Sequence, residues 1–231
     1  DIRIPYESSK EARDGQIVTV AVTRPPERYQ EARGKVVEIL GFGGDPGIEY
    51  RIVEHKYGLP AVFSAEAQSE ADAMPDAVSD SDCAGREDFR GTVAVTIDGE
   101  TARDFDDAVS LETLPSGNFL LGVHIADVSH YVREGSAVDA DARARGTSVY
   151  FPDRAIPMLP PELSSGICSL KPDTDRLVFS VQLELDPAGR TVSSRFAEGV
   201  IRSRARMTYT ALAAVLEQGD GGECRRFAEM K

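Results

Sequence analysis

The segment Thr96-Ile97-Asp98-Gly99-Glu100-Thr101-Ala102-Arg103-Asp104-Phe105-Asp106-Asp107 places four aspartates within ten residues, directly behind the β-branched run Gly91 to Ile97. On an extended chain Asp104 and Asp106 face one way and Phe105 the other. Massed carboxylates repel one another unless a cation neutralises them. Oxygen-only ligands favour hard cations, Mg²⁺ or Mn²⁺. A solvated acidic loop would account for the charge, but poorly for Ile97 and Phe105, apolar residues that tuck the segment against a core. An EF-hand loop needs Gly at position six and Glu at twelve. Counting from Asp98 gives Arg103 and Val109, and counting from Asp104 gives Val109 and Pro115. The third reading is a catalytic metal site for phosphoryl chemistry, in which two metals clamp the attacking and leaving oxygens.

Downstream of this segment the pattern is mixed. Ala108 to Glu112 and Phe119 to Ile125 flank a turn and predict a hairpin. Ser136 and Asp139 have capping-box spacing and Gly146 follows, which predicts a helix over 136–145. Residues 151–175 carry five prolines and predict an irregular loop. Leu177 to Leu185 and Val192 to Ile201 read as partner strands, and Thr208 as the N-cap of a helix running to Gln218. Upstream, Gln16 to Thr23, Gly34 to Leu40 and Glu49 to Val53 read as three strands of a partial OB-type barrel. Residues 64–90, with eight acids against two bases, read as a connector with a helical turn or two. The fold class is therefore α+β, a partial β-barrel followed by a mixed α+β domain. Domains are expected at 1–63 and 91–231, with 64–90 between them.

The 231 residues carry 26 Lys+Arg against 39 Asp+Glu, a net charge of -13. Such acidity argues against holding nucleic acid by bulk charge. Counted by segment, 64–90 contributes -6 and 98–107 contributes -4. The charge is thus a connector and a cluster rather than a uniform surface. No apolar run spans a membrane, and the N-terminus is no secretory signal. Cys83, Cys168 and Cys224 are widely spaced and form neither a disulfide framework nor a zinc site. They read as free thiols in a reducing cytoplasm. The chain opens without methionine inside a strand and closes on the charged tail 225–231, as a piece of a longer protein would.

TIDGETARDFDDAVSLE resembles the catalytic signature of the ribonuclease II/ribonuclease R (RNB) family. The likeness continues through Gly122 to Val132, Arg145 to Pro152, Ile156 to Pro160, Leu163-Ser164, Cys168-Ser169-Leu170 and Ala205 to Tyr209, in family order. GTSVYFP is nearer to the ribonuclease R branch. Residues 1–63 resemble the later part of the family's second cold-shock domain, and 91–231 the N-terminal part of its catalytic domain. The resemblance implies a monomeric cytoplasmic enzyme of the longer protein, with Mg²⁺ (or Mn²⁺) as cofactor. It would degrade single-stranded RNA processively, 3′ to 5′, to nucleoside 5′-monophosphates. It also implies Asp98, Asp104 and Asp107 as metal ligands, with Asp106 as the fourth carboxylate and the one whose loss most cleanly abolishes chemistry. Tyr150 corresponds to a family tyrosine that stacks near the RNA 3′ end, and Tyr209 to one that influences final product size.

On residue type alone, Tyr150 could be packing beneath the proline loop and Tyr209 an exposed helix residue. His124 and His130 read as surface or hydrogen-bonded histidines, since an aspartate metal site needs no imidazole. Asp127 could be a turn or capping residue. Arg202, Arg204 and Arg206 alternate and could line an RNA channel or form a solvated strand face. The alternative function is a non-catalytic RNA-binding regulator on the same scaffold. The 231-residue piece alone is expected to bind RNA weakly and turn over little substrate.

Overall fold

The computed structural model describes residues 1–218, which form two compact units, 1–62 and 63 onward. Cys224 and the charged tail lie outside the described residues.

In the first unit, β2 (Gln16–Arg24) and β3 (Ala32–Phe42) form an antiparallel pair, and β1 (Ile2–Arg3) adds to β3 in parallel. The result is an open three-stranded sheet rather than a closed barrel. Ala32, Gly34, Val36 and Leu40 sink into its inner face. The expected third strand, Glu49 to Val53, is instead part of a helix, α1 (Ile48–Tyr57). Gly47 starts it in the left-handed region at φ 78°, and Ile48 is buried. Arg51 and His55, one turn apart, both reach Glu38 at 3.6 Å, and Arg51 also donates to the Leu40 carbonyl. A helix sets residues four apart within about 6 Å of each other, whereas a strand would hold them about 13 Å apart. Ile52 and Val53 favour a strand, but left-handed glycines at both ends, Gly47 and Gly58, and the burial of Ile48 outweigh that propensity.

The second unit is built on a seven-stranded sheet of β4 (Glu87–Asp88), β5 (Ala94–Asp98), β6 (Asp107–Thr113), β7 (Phe119–Ala126), β10 (Asp175–Leu185), β11 (Thr191–Arg202) and β12 (Ala205–Thr208). The strand order is β12-β5-β6-β7-β10-β11-β4. The centre is antiparallel, and both edge pairs, β12 with β5 and β4 with β11, are parallel. The proline-rich stretch holds a miniature hairpin, β8 (Val149–Tyr150) with β9 (Ala155–Ile156), and a short helical segment, Glu162–Ile167, kinked at Gly166.

Residues 64–90, composed like a connector, are built into this unit. α2 (Ala65–Asp72) presents Ala67 and Ala71, both essentially buried, to the core, and Phe89 is buried as well. Small alanines let α2 approach closely, so a polar composition still yields a buried face. α4 (Ala137–Arg145) begins at Ser136, whose hydroxyl accepts from the Asp139 amide at 3.2 Å, and ends at Gly146. The predicted box is only half closed: Asp139 bonds the Gly135 amide. Instead Glu70 of α2 accepts from the Ala137 and Val138 amides, 3.0 Å each, so one helix caps the next. One core cluster joins these helices to Ala94, Ala108, Val178 and Val200 of the sheet.

The other sheet face stays open to solvent. Ile125 pairs with Phe179, and Phe179 stacks on Phe196 with ring centroids 6.0 Å apart. Both phenylalanines, Leu111 and Val192 are about half or more exposed. Among the described residues no helix is long and apolar enough to cross a membrane.

Candidate active site

Asp98 closes β5 and Asp107 opens β6, with Asp104 and Asp106 in the loop between them. β5 and β6 pair only at Ala94 with Ser110 and Val95 with Val109. Beyond Val95 the strands part, and the end of β5 pairs with β12, Asp98 opposite Thr208. Within the loop, Phe105 turns into the core while Asp104 and Asp106 line a cleft of about 310 Å³. Ser148, Tyr150, Met158, Ser164 and Cys168 are among its other walls. The alternation read from an extended chain is thus present.

The loop is held at its main chain. The Ser169 hydroxyl donates to the Arg103 carbonyl at 3.0 Å and accepts from the Phe105 amide at 3.1 Å. The Leu170 amide donates to the Phe105 carbonyl, and the Ala126 amide to the Asp106 carbonyl, both at 2.9 Å. Arg206 donates to the Gly99 and Glu100 carbonyls at 2.6 and 2.7 Å, and its guanidinium lies 5.5 Å from the Phe105 ring centroid.

The carboxylates perturb one another. Burial, then the Asp107 charge, pushes the Asp98 pKa above the usual aspartate range, with Arg206 opposing. Asp98 Oδ2 is buried with no hydrogen-bond partner. Asp106 keeps solvent access, yet the surrounding cleft wall and then the charges of Asp104, Asp107 and Asp98 raise its pKa as well. Asp98 and Asp106 thus each feel the charges of other carboxylates in the segment. Even so, among the described residues no set of three or more His, Cys, Asp or Glu side chains converges to hold a metal.

Tyr150 donates from its hydroxyl to Asp104 Oδ2 at 3.1 Å, leaving its ring 68% exposed at the cleft. Tyr209 is not a cleft wall. It is the first residue of α5 (Tyr209–Ala213), directly after the N-cap Thr208 that lies opposite Asp98, and is 64% exposed. The helix expected to run to Gln218 widens after Ala213.

The other polar candidates are structural. His124 is fully buried between Ser110 at 3.0 Å and Ser180 at 2.8 Å, tying β6, β7 and β10 together. Burial lowers its pKa to about 4, so it is neutral. His130 lies in the short helix α3 (Val128–Tyr131) and is within 3.2 Å of Asp82. Asp127 caps that helix and forms a buried ion pair with Arg86 at 2.6 Å. The alternating arginines share no single role: Arg202 pairs with Asp175 at 2.7 Å, Arg206 braces the acidic loop and Arg204 is exposed.

Sequence reasoning assigned no individual role to Ser169 or Arg176. A faint signal existed for Arg176. It shares strand parity with the buried Val178 and Ser180, and a charge at an inward position demands partners.

Comparison with known proteins accounts for this layout. The RNB domain model matches residues 86–229, and a cold shock domain model matches residues 1–64. Ribonuclease R of Thermotoga maritima is 48% identical over 94% of the chain, which spans 31% of that relative. Ribonuclease R of Mycoplasma genitalium, solved in complex with double-stranded RNA, superposes with a TM-score of 0.84 at 26% identity, over 95% of this chain and 39% of that one. Yeast Ssd1, a pseudonuclease, shares the fold at a TM-score of 0.75 and 22% identity, over 93% of this chain and 28% of that one. The acidic loop between splayed strands, the cleft beside it and a family match over most of the length lead to one assignment: the chain belongs to the RNB domain family.

Proposed function

We propose that the longer protein is a metal-dependent exoribonuclease, degrading single-stranded RNA processively from 3′ to 5′ and releasing nucleoside 5′-monophosphates. This chain would supply its aspartate centre and part of an RNA-binding cold-shock module. We retain 1–63, 64–90 and 91–231 as its functional divisions, a monomer as its state and the cytoplasm, where Cys83 and Cys168 stay reduced, as its setting.

The observation that carries the reading is an acidic group short of counter-charge beside an open cleft. Asp98 has a buried, unpartnered carboxylate oxygen, and burial, with the neighbouring carboxylates adding to it, raises the pKa values of Asp98 and Asp106. An all-oxygen donor set suits Mg²⁺ or Mn²⁺, and we assign Asp98, Asp104, Asp106 and Asp107 to hold it. Such an ion supplies Lewis-acid polarisation of the phosphodiester. Asp106, accessible at the cleft, orients the attacking water and takes up its proton. Tyr150 fixes Asp104 through its hydroxyl and offers its exposed ring to the terminal base. Tyr209, on the β12 side of Asp98, contacts the RNA nearer its exit.

The fold alone leaves chemistry open, since a pseudonuclease shares it, and the retained aspartates favour an active enzyme. A time course on 5′-labelled RNA with the full-length protein tests this. With Mg²⁺ the label should pass to a short 5′ remnant with few intermediates, and EDTA should stop the reaction. RNA retention without cleavage, indifferent to Mg²⁺ and to Asp106→Asn, would establish the regulator instead.

A further inference from the structure

We infer that Ser169 and Arg176 are positioning residues for the aspartate centre, a two-step clamp fixing the main chain of the acidic loop at the cleft, from which its carboxylates would gather round a divalent cation. The inference rests on reading Asp98 to Asp107 as a metal-binding group. Ser169 is fully buried and is spent on the loop, donating to the Arg103 carbonyl and accepting from the Phe105 amide. These two contacts bracket Asp104. The Leu170 amide on the Phe105 carbonyl extends the grip toward Asp106.

Arg176 holds the clamp in place. Its side chain is buried, at 4% exposure, and all its hydrogen bonds go to main-chain carbonyls: Nε to Ser169 at 2.8 Å, Nη2 to Gly166 at 3.2 Å and Nη1 to Asp175 at 2.9 Å. No carboxylate pairs with it among the described residues, so its role is to fix carbonyl positions, not to complete an ion pair. Gly166 lies at the kink of the 162–167 segment, with φ -98° and ψ -116°. The planar guanidinium thus joins the kinked segment to the Ser169 segment, which a lysine's single ammonium cannot do with the same geometry.

The loop needs such a brace because its four carboxylates repel one another. Without the clamp, that repulsion would spread Asp104 and Asp106 away from Asp98 and Asp107. Groups that orient ligands from behind typically change metal affinity by about 10- to 100-fold when removed.

The test uses the full-length protein and Mn²⁺ binding followed by EPR without RNA. Ser169→Ala, which loses both loop bonds, should weaken Mn²⁺ by about 10-fold or more. The Mg²⁺ midpoint for RNA degradation should shift the same way, while RNA affinity in EDTA should stay within about two-fold, because both side chains are buried away from the surface. Arg176→Lys keeps the buried charge but not the fork and should act in the same direction. It decides the matter if Ser169→Ala does not fold. A purely structural role would lower the melting temperature and leave Mn²⁺ affinity unchanged, and that result in a folded variant overturns the inference. If the unsubstituted protein binds no Mn²⁺, the metal reading itself fails instead.

Discussion

Asp106 and His124 show how differently one fold treats two titratable residues. Asp106 lies open at the cleft among like charges, so its value is chemical. Asp106→Asn should lower turnover by about 100-fold or more with RNA affinity retained, as single-turnover and filter-binding assays would show. Near-normal turnover would remove Asp106 from the mechanism. His124 is the reverse case, neutral and enclosed by Ser110 and Ser180. Its pKa falls from 6.5 to about 4, so between these values the unfolded chain binds more protons than the folded one. Stability should therefore be complete above pH 6.5 and fall as pH drops toward 4, by up to about 3 kcal/mol from this residue. Urea denaturation across that range, compared with His124→Gln, should show the flatter profile in the variant. Gly122 is bound to the same network, since a Cβ there would meet the Ser110 hydroxyl and lie 2.8 Å from His124 Nε2. Gly122→Ala should cost about 1–3 kcal/mol through overpacking.

At the scale of elements, strands and caps were legible from local chemistry. Ser136 ahead of α4 and Gly146 behind it mark that helix, and Ser136→Ala should destabilise the unit by about 1 kcal/mol in thermal melts. Two elements escaped because their cause is not local. α1 looked like a strand, but it buries Ile48 and sets Arg51 and His55 one turn apart beside Glu38 of β3. α2 looked like connector because alanine, serine and acids rarely signal burial, yet Ala67 and Ala71 are core. The carboxylate of Glu70 on the α4 amides joins residues 67 positions apart, beyond any spacing rule. Glu70→Ala should therefore lower the melting temperature more than the exposed Glu66→Ala.

For the molecule as a whole, the open sheet face is the telling feature. Leu111, Ile125, Phe179, Val192 and Phe196 leave it apolar, and surfaces of this kind are rarely left bare in a soluble domain. The chain spans only about 30% of the curated relatives it matches. A polypeptide limited to these 231 residues should therefore bind a hydrophobic dye strongly and degrade RNA little. Replacing Phe179 and Phe196 with serine should cut dye binding severalfold. Robust Mg²⁺-dependent degradation by that polypeptide would show that the aspartate centre works alone.

The amino-acid sequence by itself determined the α+β class, most strands, the caps and the acidic segment, because alternation, turn chemistry and charge density are local properties. It also set Asp104 and Asp106 opposite Phe105, as side chains alternate along an extended segment. Only the tertiary structure decided how that segment is held. Ser169 lies 64 residues from Phe105 and Arg176 holds Ser169 from the next strand, while Arg206 reaches Gly99 across 107 positions. Hydrogen bonds between such distant residues leave no period in the sequence, because chain topology and not spacing brings their donors and acceptors together.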